Sequence, residues 1–349
     1  MTYTATLAAA AVKVAASFGI PGADPVILAD GANVIVHLRP APVVAKVAAS
    51  TTAVRPDPAA WLQRELDVAG FLAGRGIPVM APSPEAPPVV HHGDGQVMSF
   101  WRYLSPSRER PGESVIGSML RDLHAGLRGY PGQLPVLAPL GDIPAFLARP
   151  QTRLTADQAA ALAAAYARLI AQLDHDHDRP LHGDAGAGNL MASGSGWVWH
   201  DFEDTSAGPA AWDLAASTAS PRLDARRILA AYGEPVDPVQ LEVCQQLRRL
   251  HLTVWYNLYA ERLPAFRPRA AELLAQWPAA LTHYRTMHDE LTPVKRSITL
   301  AGPAVRGYVA PWSGPCSTRS SSRPGSAPGS SPTDGSRLDD GRNRAERSP

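Results

Sequence analysis

The stretch LHGDAGAGNLM, residues 181–191, sets a histidine, an aspartate and an asparagine in one short loop with glycines at 183, 186 and 188. Further on, WVWHDFED brings a second acid, Asp201. Asn189 stands just ahead of LMAS, and Asp201 just after WVWH; between them Gly194-Ser195-Gly196 reads as the turn of a β-hairpin. A hairpin sets the residue before its first strand beside the residue after its second, so Asn189 and Asp201 should meet at its open end. A carboxamide oxygen and a carboxylate there suit a hard cation such as Mg2+. Asp184 lies one loop away and can reach the same space. For any one of these residues alone, a polar turn is the competing reading.

Taken together, His182-x-Asp184-x4-Asn189 followed by Asp201-Phe202 matches the kinase catalytic loop and metal aspartate in order and spacing. With LHAGL at 123–127 and WHDFEDTSAGPAAWDLA at 199–215, the sequence resembles the bacterial aminoglycoside phosphotransferase family, relatives of choline kinase within the protein-kinase-like fold, over residues 5 to 305. The resemblance implies an α+β, bilobal fold with a small antiparallel-sheet lobe and a larger, mostly helical lobe. It implies an ATP-dependent small-molecule kinase, with GTP as an alternative donor, Mg2+ as the metal and a hydroxyl as acceptor. Asp184 would be the catalytic base or orient the acceptor, and Asn189 and Asp201 would hold metal. Lys46 would meet the α- and β-phosphates, held by Glu65. The turn around Gly31 would cover the phosphates through backbone groups, and Ser99, Phe100 and Trp101 would link the lobes and meet adenine. His182 is read as structural. Asp213 braces the catalytic loop or caps a helix.

Two departures from protein kinases matter. Gly183 stands where the HRD arginine would be, and the chain runs from Asp201 to GPAAWDLA with no room for a long activation segment. Both point to a small-molecule kinase. The competing class is a kinase-like scaffold that binds nucleotide without turnover, against which the intact Lys46, Asp184, Asn189 and Asp201 argue.

Each candidate also has a plain alternative. Lys46 is a single charge in the apolar run PVVAKVAA, and a buried ammonium needs a partner; otherwise it snorkels at a sheet edge, with Glu65 on a solvated helix face. LADGANVIVHL has one glycine, Gly31, and by itself is an ordinary hairpin. The LDHDHDRPLHGD run alternates His and Asp without the i, i+4 helical spacing of a zinc motif, so His175 and His177 read as solvated loop residues. A polycationic acceptor wants nearby carboxylates; Glu203 and Asp204 are near in sequence, and Trp255, Tyr259 and Glu261, at helical spacing, could share one face and touch a substrate. Core packing is the stronger reading for those two aromatics.

The elements that must carry these residues follow from patterning. VILADGANVIVHL and PVVAKVAA read as strands, DPAAWLQRELDVAGFLAGRGIPV as a helix ended by Gly74, Gly76 and Pro78, and PPVVHHGDGQVMSFWRYL as another strand pair. The N-terminal MTYTATLAAAAVKVAASFGIPG lacks a basic flank and reads as a surface helix ended by Gly19 and Pro21. SVIGSMLRDLHAGL, TADQAAALAAAYARLIAQLDHD with its capping-box pattern, and LEVCQQLRRLHLTVWYNLYAERL read as helices. The expected organisation is a nucleotide-binding lobe at 1–104, a catalytic and acceptor lobe at 105–310, and a disordered Ser/Pro/Gly/Arg-rich tail at 311–349.

With 349 residues, 45% hydrophobic and a net charge of +1, the chain has no bias toward nucleic acid. Cys244 and Cys316 are the only cysteines, which excludes a disulfide framework and fits a cytoplasmic protein. No apolar run is long enough to span a membrane. The oligomeric state is not encoded in a readable way.

Overall fold

β-Branched runs separated by tight turns build β1 (Asp24–Asp30), β2 (Asn33–Arg39) and β3 (Val43–Ala48) into an antiparallel meander. The structure is a computed structural model that describes residues 2–277 apart from 106, 108, 151 and 195; the expected tail lies outside the described residues. β4 (His91–Gly93) and β5 (Gln96–Arg102) complete a sheet of order β1-β2-β3-β5-β4. Every residue of β3 is buried, Lys46 included, because the sheet is covered on both sides. On one side lies α1 (Tyr3–Ala16), which buries Leu7, Ala8, Ala10, Ala11 and Ala15 against Val34, Val36 and Met98. The expected surface helix thus buries one face, where small alanines permit close approach to the sheet, and leaves Tyr3 and Lys13 exposed on the other. Gly19 ends the segment as read, at φ +74°.

α2 (Pro58–Gly74) lies between β3 and β4 in sequence. Asp57 caps it, accepting from the Ala60 N–H at 3.2 Å, and Pro58 occupies the first turn, where no N–H is needed. Its buried face carries Glu65 beside Leu62, Leu66 and Ala69.

After Tyr103 the chain turns helical: α3 (Glu113–Leu127), α4 (Asp142–Leu147) and α5 (Ala156–Ile170), the last opened by a Thr155/Gln158 capping box. Short strands interrupt the helices. β6 (Arg179–Leu181) pairs with β9 (Ser206–Gly208), and β7 (Leu190–Ser193) with β8 (Gly196–Trp199). α6 (Ala210–Ser217), α7 (Ala225–Tyr232), α8 (Pro238–Arg262) and α9 (Arg267–Leu274) follow. Trp255 and Tyr259 of α8 are core residues. A further cluster joins the two halves: Val44, Leu66 and Leu72 pack with Leu120, Leu123, Leu190, Trp199 and Phe202.

One boundary differs from expectation. Ser99, Phe100 and Trp101 lie inside β5, buried and paired with β3, and the Phe100 carbonyl already accepts from the Ser83 N–H at 3.0 Å. The connection between sheet and helices begins at Tyr103. The buried run Met98 to Trp101, paired with β3, carries the strand to Arg102. Among the described residues no helix is long and apolar enough to cross a membrane.

Candidate functional site

The β7–β8 hairpin brings together what its sequence predicted. Leu190 faces Trp199, and the His200 N–H donates to the Asn189 carbonyl at 3.0 Å, so Asn189 and Asp201 share its open end. A second strand contact fixes the hairpin from outside: the Met80 N–H donates to the Trp199 carbonyl at 2.8 Å, and the Trp199 N–H to that of Pro78 at 2.9 Å. Asp201 itself adopts a left-handed backbone, φ +66°.

The loop before the hairpin is pinned at nearly every polar group. Asp213, inside the first turn of α6, accepts the N–H of His182 and of Gly183, both at 2.8 Å. His124 of α3 donates to the same carboxylate at 2.9 Å. Asp213 therefore braces the loop and is not the helix cap, a position held by Pro209. His182 is fully buried; it donates to the His200 carbonyl at 3.1 Å and accepts the Asp184 N–H at 3.3 Å. Burial pushes its pKa down to about 4, as befits a neutral ring serving as donor and acceptor at once. Asn189 donates to the Asp184 carbonyl at 2.7 Å and to Asp184 Oδ2 at 3.2 Å, closing the loop on itself.

Lys46 lies opposite. Its ammonium contacts Glu65 at 2.8 Å, Asp201 at 2.6 Å and Glu203 at 2.6 Å. Burial alone would lower the lysine, but Asp201, Glu203 and Glu65 together hold it well above its ordinary range. Burial pushes the Glu65 carboxyl up to about 8 against the pull of Lys46. Asp201 is desolvated too, yet Lys46 keeps it below the usual carboxylate range. Glu65, Asp201 and Glu203 each bring a carboxyl oxygen within 4.8 Å of the others. Asn189 Oδ1, buried at the hairpin's open end, has no hydrogen-bond partner. An orphaned carboxamide oxygen at the hairpin end it shares with Asp201 fits a divalent cation.

The structure also shows residues that sequence patterning missed. Arg248 of α8 contacts the Asp184 carboxylate and donates to the Gly183 carbonyl at 3.2 Å. Asn33, at the start of β2, donates to Glu203 at 2.6 Å. Arg55 bridges Glu203 to Asp142. No local signal marked them: Arg248 sits in a basic helical run, QLRRL, that reads as solvated. Glu203 and Asp204 are not acceptor-facing acids. Glu203 is committed to Lys46, Asn33 and Arg55, and Asp204 is fully buried, with burial holding its carboxyl well above the usual range. Glu261 is paired with Arg149 at 2.8 Å. Gly31 lies in the β1–β2 turn as expected, but its N–H is spent on the Asn33 carbonyl at 3.1 Å.

No curated protein matches the chain at a significant level. Solved structures do. An amicoumacin kinase in complex with AMP-PNP, Ca2+ and amicoumacin aligns with a TM-score of 0.55 at 12% identity, covering 73% of this chain and 89% of that one. An aminoglycoside phosphotransferase from Streptomyces rimosus, bound to ADP and streptomycin, gives 0.52 at 18%, covering 70% and 98%. A choline kinase from Streptococcus pneumoniae gives 0.50 at 17%, covering 73% and 94%. These likenesses establish a protein-kinase-like fold. The model of the phosphotransferase enzyme family matches residues 28–242, from β1 through the pinned loop and the hairpin into α8. By that match over more than half of its length, the chain belongs to the phosphotransferase enzyme family.

Proposed function

We propose that the protein transfers the γ-phosphoryl group of ATP to a hydroxyl of a small molecule. The observation that carries this reading is the convergence of Lys46 with Glu65, Asp201 with Asn189, and Asp184, from separate parts of the chain, on one site. Lys46 supplies positive charge for the α- and β-phosphates, and Glu65 from α2 sets its position. Asn189 Oδ1 and the Asp201 carboxylate would hold Mg2+, which when bound offsets charge on the phosphoryl oxygens, while Glu65 and Glu203 hold Lys46 beside them. Among these carboxylates Asp201 is the most accessible, with 24% of its side chain exposed, so the nucleotide approaches from its side. Adenine would then meet the connection at Tyr103 and Leu104, just past β5.

Asp184 orients the acceptor hydroxyl and takes its proton as the new O–P bond forms and the bond from the γ-phosphorus to the ADP oxygen breaks. Its carboxylate has about four acceptor positions, so the two donors already on it leave room for a hydroxyl. Because phosphoryl transfer depends on positioning and electrostatics, one well-aimed carboxylate suffices.

The test is ATP consumption by the purified protein with Mg2+ against aminoglycosides, amino sugars, amino alcohols and macrolides, with Asp184→Ala alongside. Acceptor-dependent turnover that is lost in the variant is the expected result. Turnover that persists unchanged in the variant would refute the role of Asp184. ATP that raises the melting temperature without turnover for any acceptor would favour a binding scaffold.

A further inference from the structure

The loop GDAGAG has one charged residue, Asp184, and no cation of its own. Its charge is met from α8. Arg248 spreads its guanidinium across two adjacent residues: one nitrogen on the Asp184 Oδ1 carboxylate oxygen, the other donating to the Gly183 carbonyl at 3.2 Å. The Trp212 indole donates to that same carbonyl at 2.6 Å, and the Arg248 guanidinium lies 5.1 Å from the Trp212 ring centroid. Arg248 is 5% exposed, and among the described residues Asp184 is its carboxylate partner. The second carboxylate oxygen, Oδ2, is held by Asn189 at 3.2 Å. Each oxygen of Asp184 thus has one donor from a different element, which leaves the carboxylate plane no freedom to turn.

We propose that Arg248 is a positioning residue for phosphoryl transfer: from α8 it fixes the Asp184 carboxylate in the orientation the acceptor hydroxyl requires. This rests on the reading of Asp184 given above. A planar fork holds a carbonyl and a neighbouring carboxylate in one fixed geometry, whereas an ammonium on a flexible stem can meet both without fixing their plane. The effect belongs to the chemical step, because Arg248 touches neither Lys46 nor Asp201 in the structure.

The experiment is a double-mutant cycle, Arg248→Met with Asp184→Asn, with Arg248→Lys alongside, each assayed for kcat, nucleotide KM and melting temperature. Arg248→Met should lower kcat about 100-fold, the penalty of a misplaced catalytic group, with nucleotide KM changed less than about twofold. Arg248→Lys should recover part of that loss. In the Asp184→Asn background, Arg248→Met should cause no further fall in kcat. If Arg248→Met does not fold, Arg248→Lys carries the test: a lowered kcat at unchanged nucleotide KM and melting temperature supports the proposal. A wild-type kcat in either Arg248 variant, or losses that multiply in the cycle, would overturn it. Asp184→Asn with wild-type turnover would bring down the reading of Asp184, and this inference with it. An inactive Asp184→Asn beside a fully active Arg248→Met would bring down this inference alone.

Discussion

A methyl group at position 183 would lie 1.8 Å from the Asp204 carbonyl oxygen, and the backbone there has φ +89°. Glycine is needed on both counts, by close approach and by conformation. Gly183→Ala should therefore cost about 3 kcal/mol or more in urea denaturation and abolish turnover, because the catalytic loop must shift to relieve the contact. Full activity with unchanged stability would show that the loop tolerates a side chain. At this scale the sequence was informative wherever chemistry and spacing were local. Asp184, Asn189 and Asp201 are within one hairpin's reach of each other, and strand pairing alone predicted two of them to meet. Lys46 was marked by being a charge in an apolar strand. The partners that complete the site were invisible for the opposite reason. Asn33 meets Glu203 across 170 positions and Arg248 meets Asp184 across 64. Only the packing of α8 and the sheet brings them together, and no short window of sequence contains that information.

Among elements, α8 has the widest reach. Arg248 touches the catalytic loop; fourteen residues later, about 21 Å along the axis, Arg262 touches the turn between β1 and β2. Arg262 pairs with Asp30 at 2.6 Å and donates to the Gly31 carbonyl at 2.9 Å and to Ser50 Oγ at 3.1 Å. The turn expected to cover phosphate is thus tied to the helical lobe by one side chain. Because the Asp30 pair is partly exposed, Arg262→Met should change stability by less than about 1 kcal/mol. It should raise the nucleotide KM several-fold, because a freed turn must be ordered on binding. An unchanged KM with a large loss of stability would make Arg262 a purely structural tie. The elements were largely legible: the hairpins, α2 with its cap and α5 with its capping box all follow from period and end signals. The resemblance puts the lobe connection at Ser99–Trp101, inside β5, because a strand and a connection look alike over three residues. α1 lies at the surface as read, but its alanine-rich face carries a weak burial signal, although alanine is what lets the helix sit close on the sheet.

For the whole molecule, the two lobes are joined at a buried polar hub. Asp142 of α4 accepts from Arg55 at 3.1 and 2.7 Å, from His251 at 3.2 Å and from the Trp255 indole at 3.1 Å. Arg55, just after β3, also stacks 4.2 Å from the Trp61 ring centroid. His251 is fully buried, and its Nδ1 has no partner, so a proton added there would find no acceptor. Burial pushes its pKa down to about 4, outweighing the attraction of Asp142. The unfolded chain, with an ordinary histidine near 6.5, takes up that proton first as pH falls. The neutral ring thus contributes stability above pH 6.5 that is lost progressively toward pH 4, amounting to about 2 kcal/mol at pH 5. His182 adds a loss of the same sign, whereas Glu65, whose carboxyl is raised, acts in the opposite sense, so the pH dependence of the wild type alone does not isolate His251. Comparison with His251→Gln does, because the other groups are common to both proteins. Between pH 7 and pH 5 the wild type should lose about 2 kcal/mol more than the variant in urea denaturation. Parallel losses would mean that the hub accommodates a charged imidazole, and that the junction between the lobes is less dry than its burial indicates.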